Sequence, residues 1–288
     1  MSETALSDTK TGTGSTIKLL KNIYAKYGIL LILLFMIILS SILSPVFLKE
    51  RNLINVIRQM SIIYIIGCGV TMVIITGGID LSSGSVAALS GVMACSIMVK
   101  TGSIPIAILG GIIVGGLTGL LSGWIITTFS LPPFITTLAM MTAARGLVYY
   151  YTGGVPVSGI GNLKVLGQGA VGGIPIPIII MLIVFALIWV LLNRMKLGRY
   201  IYAIGGNEEA AIASGINVNR VKLMTYLFNG MLVGLAGVIL MARINSGQPS
   251  AGLLYELDAI TCSVLGGTSL MGGVGTVQGT LAGAMIIG

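Results

Sequence analysis

The chain has 288 residues, of which 55% are hydrophobic and only 8% are charged. A soluble domain carries about 25% charged residues, so these proportions exclude a chain that mostly faces water. The sequence contains no His, and its three cysteines lie far apart within apolar runs, which indicates neither a His-based metal site nor a disulfide framework. Its 42 glycines are about twice the usual share. The composition therefore predicts an all-α, polytopic membrane protein.

The basic residues give a net charge of +8, and most of them lie beside apolar runs. Nine of the sixteen fall into two groups: Lys10, Lys18, Lys21 and Lys26 in the first, and Arg194, Lys196, Arg199, Arg220 and Lys222 in the second. Positive charge next to membrane spans marks the cytoplasmic side. We therefore expect both groups in the cytoplasm, and no nucleic-acid-binding surface, which would need a folded polar face.

Along the chain, residues 1–26 are predicted to form a disordered cytoplasmic tail and residues 27–288 the membrane domain. Six apolar runs come first: 27–43, 60–76, 86–99, 104–126, 134–151 and 174–193. Six crossings from a cytoplasmic N-terminus return the chain to the cytoplasm at Arg194, in agreement with the second basic group. The run 86–99 is too short to span the membrane as an ideal helix.

The rest of the chain has four predicted segments: a cytoplasmic segment over 194–222, a helix over 223–242, a polar outer loop over 243–258 and a Gly-rich apolar stretch over 259–288. Glu256 and Asp258 are not expected to act as a catalytic pair of acids, because side chains two residues apart diverge on a helix. Both are expected in the solvated outer loop. The sequence stops inside an apolar run at Gly288, so we expect a longer natural polypeptide.

Two stripes of glycine recur at every fourth position: Gly111, Gly115, Gly119 and Gly123, and then Gly275, Gly279 and Gly283. Residues four apart stack on one helix face, and small residues there let two helix backbones approach closely. The stripes are therefore predicted to serve helix packing rather than to line a pore.

Within the segment 194–222, the stretch Asn207–Gly215 predicts a short helix with a cap at each end. Asn207 suits the N-cap, Glu208 and Glu209 complement the helix dipole, and Gly215 suits the position after the last turn. A helix of about seven residues is not stable alone, so this one must dock on something. Its own bundle and a cytoplasmic partner both remain open from the residues themselves.

The stretch Gly77–Ser82 places a carboxylate between two apolar segments. The paired glycines can break a helix, after which Asp80 or Ser82 could cap the next one. The alternative is a discontinuous helix whose polar end lines a substrate path, because an acidic residue at membrane depth is costly.

A similar break recurs at Gly266–Gly273 and contains Thr268 and Ser269. Two Gly-interrupted apolar segments in different halves of a chain are typical of a transporter's central site. Elsewhere, Arg145 is expected to extend toward the lipid headgroups. Asn229 and Gln278 could hold helices together or contact a solute.

Several motifs of catalysis are absent from the sequence. There is no G-x-x-x-x-G-K-[ST] and no Gly-Lys dipeptide, so the chain cannot hold ATP in a P-loop. It also lacks H-E-x-x-H and G-x-S-x-G. We therefore expect a protein that is not itself an enzyme.

Taken together, several blocks closely resemble the permease subunits of ribose-type ABC importers of simple sugars. They lie in order over about residues 45–288: GGIDLSSGS at 77–85, LPPFITTL at 131–138, Arg145-Gly146, Gly198-Arg199, AIGGNEEAAIASGINV at 203–218, LGGTS at 265–269, Gly272-Gly273 and Gly275-Thr276. The resemblance implies a bundle of about 8–10 transmembrane helices with discontinuous Gly-rich helices, the last part of which is missing here. It also implies a bacterial inner-membrane location with the N-terminus in the cytoplasm.

The resemblance further implies partners. These are ABC ATP-binding subunits that bind the ATP, an extracytoplasmic sugar-binding protein, and a second copy or a related permease. The chain itself would need no cofactor. The ATPase-coupling segment would include Gly206, Asn207, Glu208, Glu209, Ala210, Ala211, Ser214 and Gly215.

On this basis the predicted function is the ATP-driven import of a pentose- or hexose-type sugar. The candidate residues of its path are Asp80, Ser82, Thr268 and Ser269. Three alternatives stay open: the same architecture for a nucleoside, a branched-chain amino acid or a signalling furanose; an ion-coupled transporter in which Asp80 is the coupling carboxylate; and an assembly subunit that transports nothing.

Overall fold

The computed structural model describes residue 28 and residues 31–288. The predicted tail over 1–26 lies outside the described residues. The chain divides into two units, residues 1–47 and residues 48–288. In the first unit the described residues form helix α1 (Leu31–Leu43).

The second unit is almost entirely helical, as predicted. Its helices are α2 (Glu50–Ile75), α3 (Ser83–Thr101), α4 (Ile104–Phe129), α5 (Pro133–Thr152), α6 (Val165–Gln168), α7 (Ile176–Arg194), α8 (Lys196–Gly206), α9 (Glu208–Ala213), α10 (Val218–Ile244), α11 (Tyr255–Leu265) and α12 (Val277–Ile287). A 3-10 turn (Gly161–Lys164) precedes α6. Strands β1 (Ala170–Val171) and β2 (Ile174–Pro175) pair antiparallel, with Val171 opposite Ile174.

Five helices among the described residues are long and apolar enough to cross a membrane: α2, α3, α4, α7 and α10. Helix α5 has 20 residues but is not among them. The prediction that 86–99 is too short was wrong, because α3 begins at Ser83 and has 19 residues, or about 28 Å. The first turn of α3 consists of serines and a glycine, so a search for apolar residues misses it and places the start of the helix too late. The count of six crossings stays a prediction.

The core forms around α10, which packs against α4, α3 and α2. Glycines on α4 and α10 face each other: a Cβ at Gly115 would meet the carbonyl oxygen of Gly230, and a Cβ at Gly230 would meet that of Gly115. The second stripe packs in the same way, since Gly283 lies against the carbonyl of Cys262 in α11. The first stripe, and Gly279 and Gly283 of the second, therefore serve helix packing, as predicted. Gly275 lies before the start of α12 at Val277, so the prediction that it shares this helix face was wrong.

Helix α10 also fixes which segments lie at which end of the bundle. It has 27 residues, which corresponds to about 40 Å. The segment 194–222 leads into its first turn at Val218, and the loop 245–254 follows its last residue, Ile244. We call these the Val218 end and the Ile244 end of the bundle.

Replacing Gly115 by Ala is expected to lower the unfolding temperature of the protein by several degrees, because the new methyl group would meet backbone and α10 would have to shift. Overpacking of this kind costs about 1–3 kcal/mol. Thermal unfolding of the purified chain in detergent measures the effect. Gly116→Ala is the matched control on the same helix, since its Cβ would lie 3.0 Å from the flexible side chain of Met231. Equal unfolding temperatures of the two variants would contradict the packing account.

Candidate functional site

The segment between α2 and α3 is held by the carboxylate of Asp80, which is only 4% exposed. Its Oδ1 accepts hydrogen bonds from the backbone N–H of Ser82 (2.8 Å) and the Ser82 hydroxyl (2.6 Å). Its Oδ2 accepts one from the Ser83 hydroxyl at 3.0 Å. These bonds hold Ser82, which occupies the N-cap position of α3, and Ser83 in its first turn, so Asp80 fixes the chain at the start of this helix. Ser82 is one of the two residues predicted as a cap, but its side chain accepts no hydrogen bond from the first turn.

The same carboxylate also binds a distant helix. The side-chain amide of Asn229, in the middle of α10, donates to Asp80 Oδ2 at 2.5 Å. Asn229 is 1% exposed, and its role in holding helices together was one of the two predicted. We call Asp80, Ser82, Ser83 and Asn229 the Asp80 cluster.

The residue before Asp80 is held in place as well. The Ile79 carbonyl accepts hydrogen bonds from the Tyr226 hydroxyl at 3.4 Å and the Thr137 hydroxyl at 3.3 Å. Tyr226 lies on α10 and Thr137 on α5. The segment is therefore joined to α5 and α10 as well as to the start of α3.

Two cavities lie on either side of this segment. The first, about 330 Å³, is at the Val218 end and is lined by Thr76, Gly77, Gly78, Glu208, Lys222 and Tyr226 among others; we call it the Glu208 cavity. The second, about 470 Å³, is lined by Ser85, Thr142, Arg145, Tyr149, Leu254 and Glu256 among others; we call it the Glu256 cavity. Residues 76–78 thus face one cavity and residue 85 the other, with the Asp80 cluster between them.

The other two predicted path residues lie in the loop between α11 and α12. Thr268 is 3% exposed, and its Oγ1 has no hydrogen-bond partner among the described residues. Ser269 closes a turn, since its backbone N–H donates to the Val274 carbonyl at 2.9 Å. The structure does not bring these two residues to Asp80, and neither lines the two cavities described above.

The two helix breaks nevertheless meet. The backbone N–H of Gly273 donates to the carbonyl of Ile75, the last residue of α2, at 2.9 Å. Met271 of the same loop lines the Glu208 cavity. The sequence gives no sign of this contact, because the two segments are almost 200 residues apart.

The predicted short helix of the segment 194–222 is present as α9, with the expected caps. The Asn207 side chain accepts a hydrogen bond from the backbone N–H of Ala210 at 2.8 Å, and Gly215 has φ of +79°. Glu208 forms an ion pair with Lys222 at 2.8 Å. Among the eight predicted coupling residues, Ala211 alone is buried against the bundle, and the other seven are exposed.

Helix α8 connects α9 to both helix breaks. A Cβ at Gly205 would meet the carbonyl oxygen of Ile75 and the backbone nitrogen of Gly273. The Tyr202 hydroxyl donates to the Gly275 carbonyl at 2.7 Å, and burial raises the pKa of this phenol, which keeps it a donor. Because these contacts are close and involve backbone, a displacement of α8 must move the end of α2 and the loop 266–276.

Two predictions about charged residues were wrong. Arg145 does not extend to the lipid headgroups: its Nη1 donates to the carbonyls of Pro249 (2.7 Å) and Ala251 (2.9 Å). Glu256 and Asp258 do not lie in a loop: both are in the first turn of α11, and Glu256 is only 9% exposed. The loop 245–254 folds back onto the bundle, as the contact of Gly252 with Gly84 shows.

A helical bundle with five membrane-length helices, and with two cavities separated by a hydrogen-bonded helix break, has the architecture of a membrane transport subunit. Comparison with known proteins defines the family. Residues 52–288 match the family described as the branched-chain amino acid transport system / permease component, and the chain belongs to it.

The names of individual relatives are more specific than the description of the family. The ribose import permease protein RbsC of Bacillus subtilis (strain 168) is 48% identical over 266 residues, which cover 91% of this chain and 83% of that protein. RbsC of Escherichia coli (strain K12) is 46% identical over 264 residues, covering 90% and 82%. The D-allose transport system permease protein AlsC of the same strain is 38% identical over 267 residues, covering 91% and 82%. No solved structure matches. The predicted resemblance to permeases of ribose-type importers is confirmed.

Replacing Asp80 by Ala is expected to destabilise the whole chain, because four donors would lose their common acceptor in a buried site. Hydrogen bonds to charged groups contribute about 1.5–3 kcal/mol each, and buried unpaired donors add to the cost. The amount of folded protein recovered from membranes and its unfolding temperature measure the effect. Ser83→Ala removes one of these bonds and should have a smaller effect. Unchanged stability of the Asp80 variant together with lost uptake would instead support a role in the path alone.

Proposed function

We propose that this chain is the membrane permease subunit of an ABC importer for a simple sugar of the ribose class. The observation that carries the proposal is the close similarity, at 46–48% identity over nearly the whole chain, to ribose import permeases. Similarity to the D-allose permease supports the same class of cargo. The description of the matched family mentions branched-chain amino acids, whereas the relatives are named for sugars. The identities to these relatives decide in favour of sugar.

The energy source would lie on partner subunits. We place ABC ATP-binding subunits against α9 at the Val218 end, which would then be cytoplasmic, with the N-terminus on the same side. The multi-pass chain would sit in the bacterial inner membrane beside a second copy or a related permease. An extracytoplasmic sugar-binding protein would deliver the sugar at the Ile244 end.

The surface of α9 supports its assignment as the docking helix. This helix of six residues has one buried residue, Ala211, and exposes Ile212 to 58%. A short helix that presents an apolar side chain and two glutamates to the surface gains stability from a partner. The ion pair between Glu208 and Lys222 fixes α9 against α10.

The path would run from the Glu256 cavity to the Glu208 cavity. The Asp80 cluster lies between them with its bonds formed, so passage would require these bonds to open. Asp80 and Ser82 would then border the path, and Thr268 and Ser269 would move with the loop that contacts α8. The printed name of a further relative, the L-arabinose ABC transporter permease protein AraH of Azospirillum brasilense, favours this ATP-driven scheme over the ion-coupled alternative.

Replacing Ile212 by Glu is expected to prevent co-isolation of the permease with its ATP-binding subunit, because a charge would replace the exposed apolar contact of α9. Affinity purification of a tagged permease from co-expressing cells measures the complex. Tyr150→Glu, an 89% exposed position near the Ile244 end, is the control and should leave the complex intact. Undiminished co-isolation of the Ile212 variant would rule out α9 as the docking helix.

Replacing Gly205 by Ala tests the transmission of motion separately from docking. The added methyl group would separate α8 from Ile75 and Gly273, so ATP hydrolysis should continue while sugar uptake falls. The ratio of sugar imported to ATP hydrolysed in proteoliposomes measures this. Gly206→Ala on the same helix meets no atom within 4 Å and serves as the packing control. An unchanged ratio for Gly205→Ala would show that α8 does not transmit the motion.

A further inference from the structure

The Glu256 cavity combines opposite charges with apolar walls. Its volume of about 470 Å³ falls within the range of about 300–1,000 Å³ that is typical of small-molecule sites. Arg145 and Glu256 supply the charges, Ser85 and Thr142 supply hydroxyls, and Tyr149 supplies an aromatic ring. This mixture of a few polar groups with apolar walls is that of a binding site rather than of a packing defect.

Glu256 is the least satisfied of these groups. Its side chain is 9% exposed, and its Oε2 has no hydrogen-bond partner among the described residues. Gly84 makes room for this carboxylate, because a Cβ there would meet Glu256 Oε2. Buried carboxylate oxygens are nearly always paired, and this one is enclosed against Gly84, so the carboxylate on the wall of the cavity is left short of a hydrogen-bond donor.

Arg145 is held in position by the loop rather than by Glu256. Its Nη1 is bound by the Pro249 and Ala251 carbonyls. Among the described residues, the ion pair with atoms within 4.0 Å joins Lys222 and Glu208, so Arg145 and Glu256 lie near each other without forming an ion pair. The other nitrogens of a guanidinium remain donors, and a carboxylate is an acceptor.

We propose that the Glu256 cavity is a binding site for a monosaccharide on its way through the permease. This inference rests on the proposed function and adds its site. One positive and one negative group give the lining no net charge, which suits a neutral solute. Sugar hydroxyls donate to Glu256 and accept from Arg145, while Tyr149, Leu253 and Leu254 cover the carbon face of the ring.

The site also adjoins the barrier that the sugar must pass. Ser85 lies in the first turn of α3, two residues after Ser83 of the Asp80 cluster. A ligand that binds Ser85 and Glu256 therefore contacts the helix whose first residues are bound by Asp80. Binding of a sugar in the cavity can therefore affect the hydrogen bonds of the Asp80 cluster, which lie across the proposed path.

Uptake of D-ribose by the assembled importer in proteoliposomes tests the site, with D-allose as a second probe. Glu256→Gln keeps the shape of the side chain and removes its charge, and it should raise the KM for uptake by about tenfold or more, as expected for a lost hydrogen bond to a charged group. Asp258→Asn on the same helix is the matched control and should leave uptake unchanged, because Asp258 does not line the cavity. Equal uptake by the wild type and by Glu256→Gln, at equal protein levels, would overturn the site and leave the proposed function standing.

A binding measurement keeps the test independent of transport and of the folding of the Glu256 variant. Thr142→Cys places a thiol at the cavity, and the three native cysteines are buried, so a charged thiol reagent should label position 142 selectively. D-ribose at millimolar concentration should slow this labelling, and L-leucine should not. Slowing by L-leucine alone would overturn the assignment to a sugar, and slowing by neither would overturn the site. Import of L-leucine but of no monosaccharide by the wild type would instead refute the proposed function.

Discussion

The buried carboxylate of Asp80 is the interaction on which the central part of this bundle depends. A charge at this position is tolerated only if it is fully hydrogen-bonded, and its donors come from both sides of the structure: two serines at the start of α3 and one asparagine on α10. These hydrogen bonds together fix the turn at 80–83, the residue at which α3 begins, and the position of α3 along the length of α10. A neutral cap such as serine would have fixed only the local turn.

The glycines supply the close approach that this interaction needs. A Cβ at Gly69 of α2 would meet the side-chain oxygen of Asn229, and Gly230 next to Asn229 is in backbone contact with Gly115 of α4. Asn229 therefore faces Asp80 because α10 is held between two helices at the shortest separation that backbones allow. The glycine stripes and the acidic residue are parts of one arrangement, although the sequence presents them as separate features.

Local features of this chain could be predicted from the sequence, and contacts between distant segments could not. The caps of α9 depend on residues within one or two turns, so Asn207 and Gly215 were recognisable. Arg145 binds a loop more than 100 residues away, and no local pattern indicates that pairing. The prediction of a solvated Glu256 was wrong because the residues before it in the sequence are mostly polar. The rule that marked Asp80, an acidic residue flanked by apolar segments, could have marked Glu256 as well.

The segment from Ile75 to Ser85 explains how one short stretch can serve both energy coupling and passage. At its beginning, the Ile75 carbonyl touches Gly205 of α8 and binds Gly273, so it responds to any displacement of the segment that carries α9. At its end, Ser85 lines the Glu256 cavity. Between them lies the Asp80 cluster, whose bonds are short, directional and few. Helices packed by glycine slide or rotate only as bodies, whereas a hydrogen-bonded turn can exchange partners. The helix break is therefore the part of the bundle where a push from α8 can be converted into an opening between the two cavities.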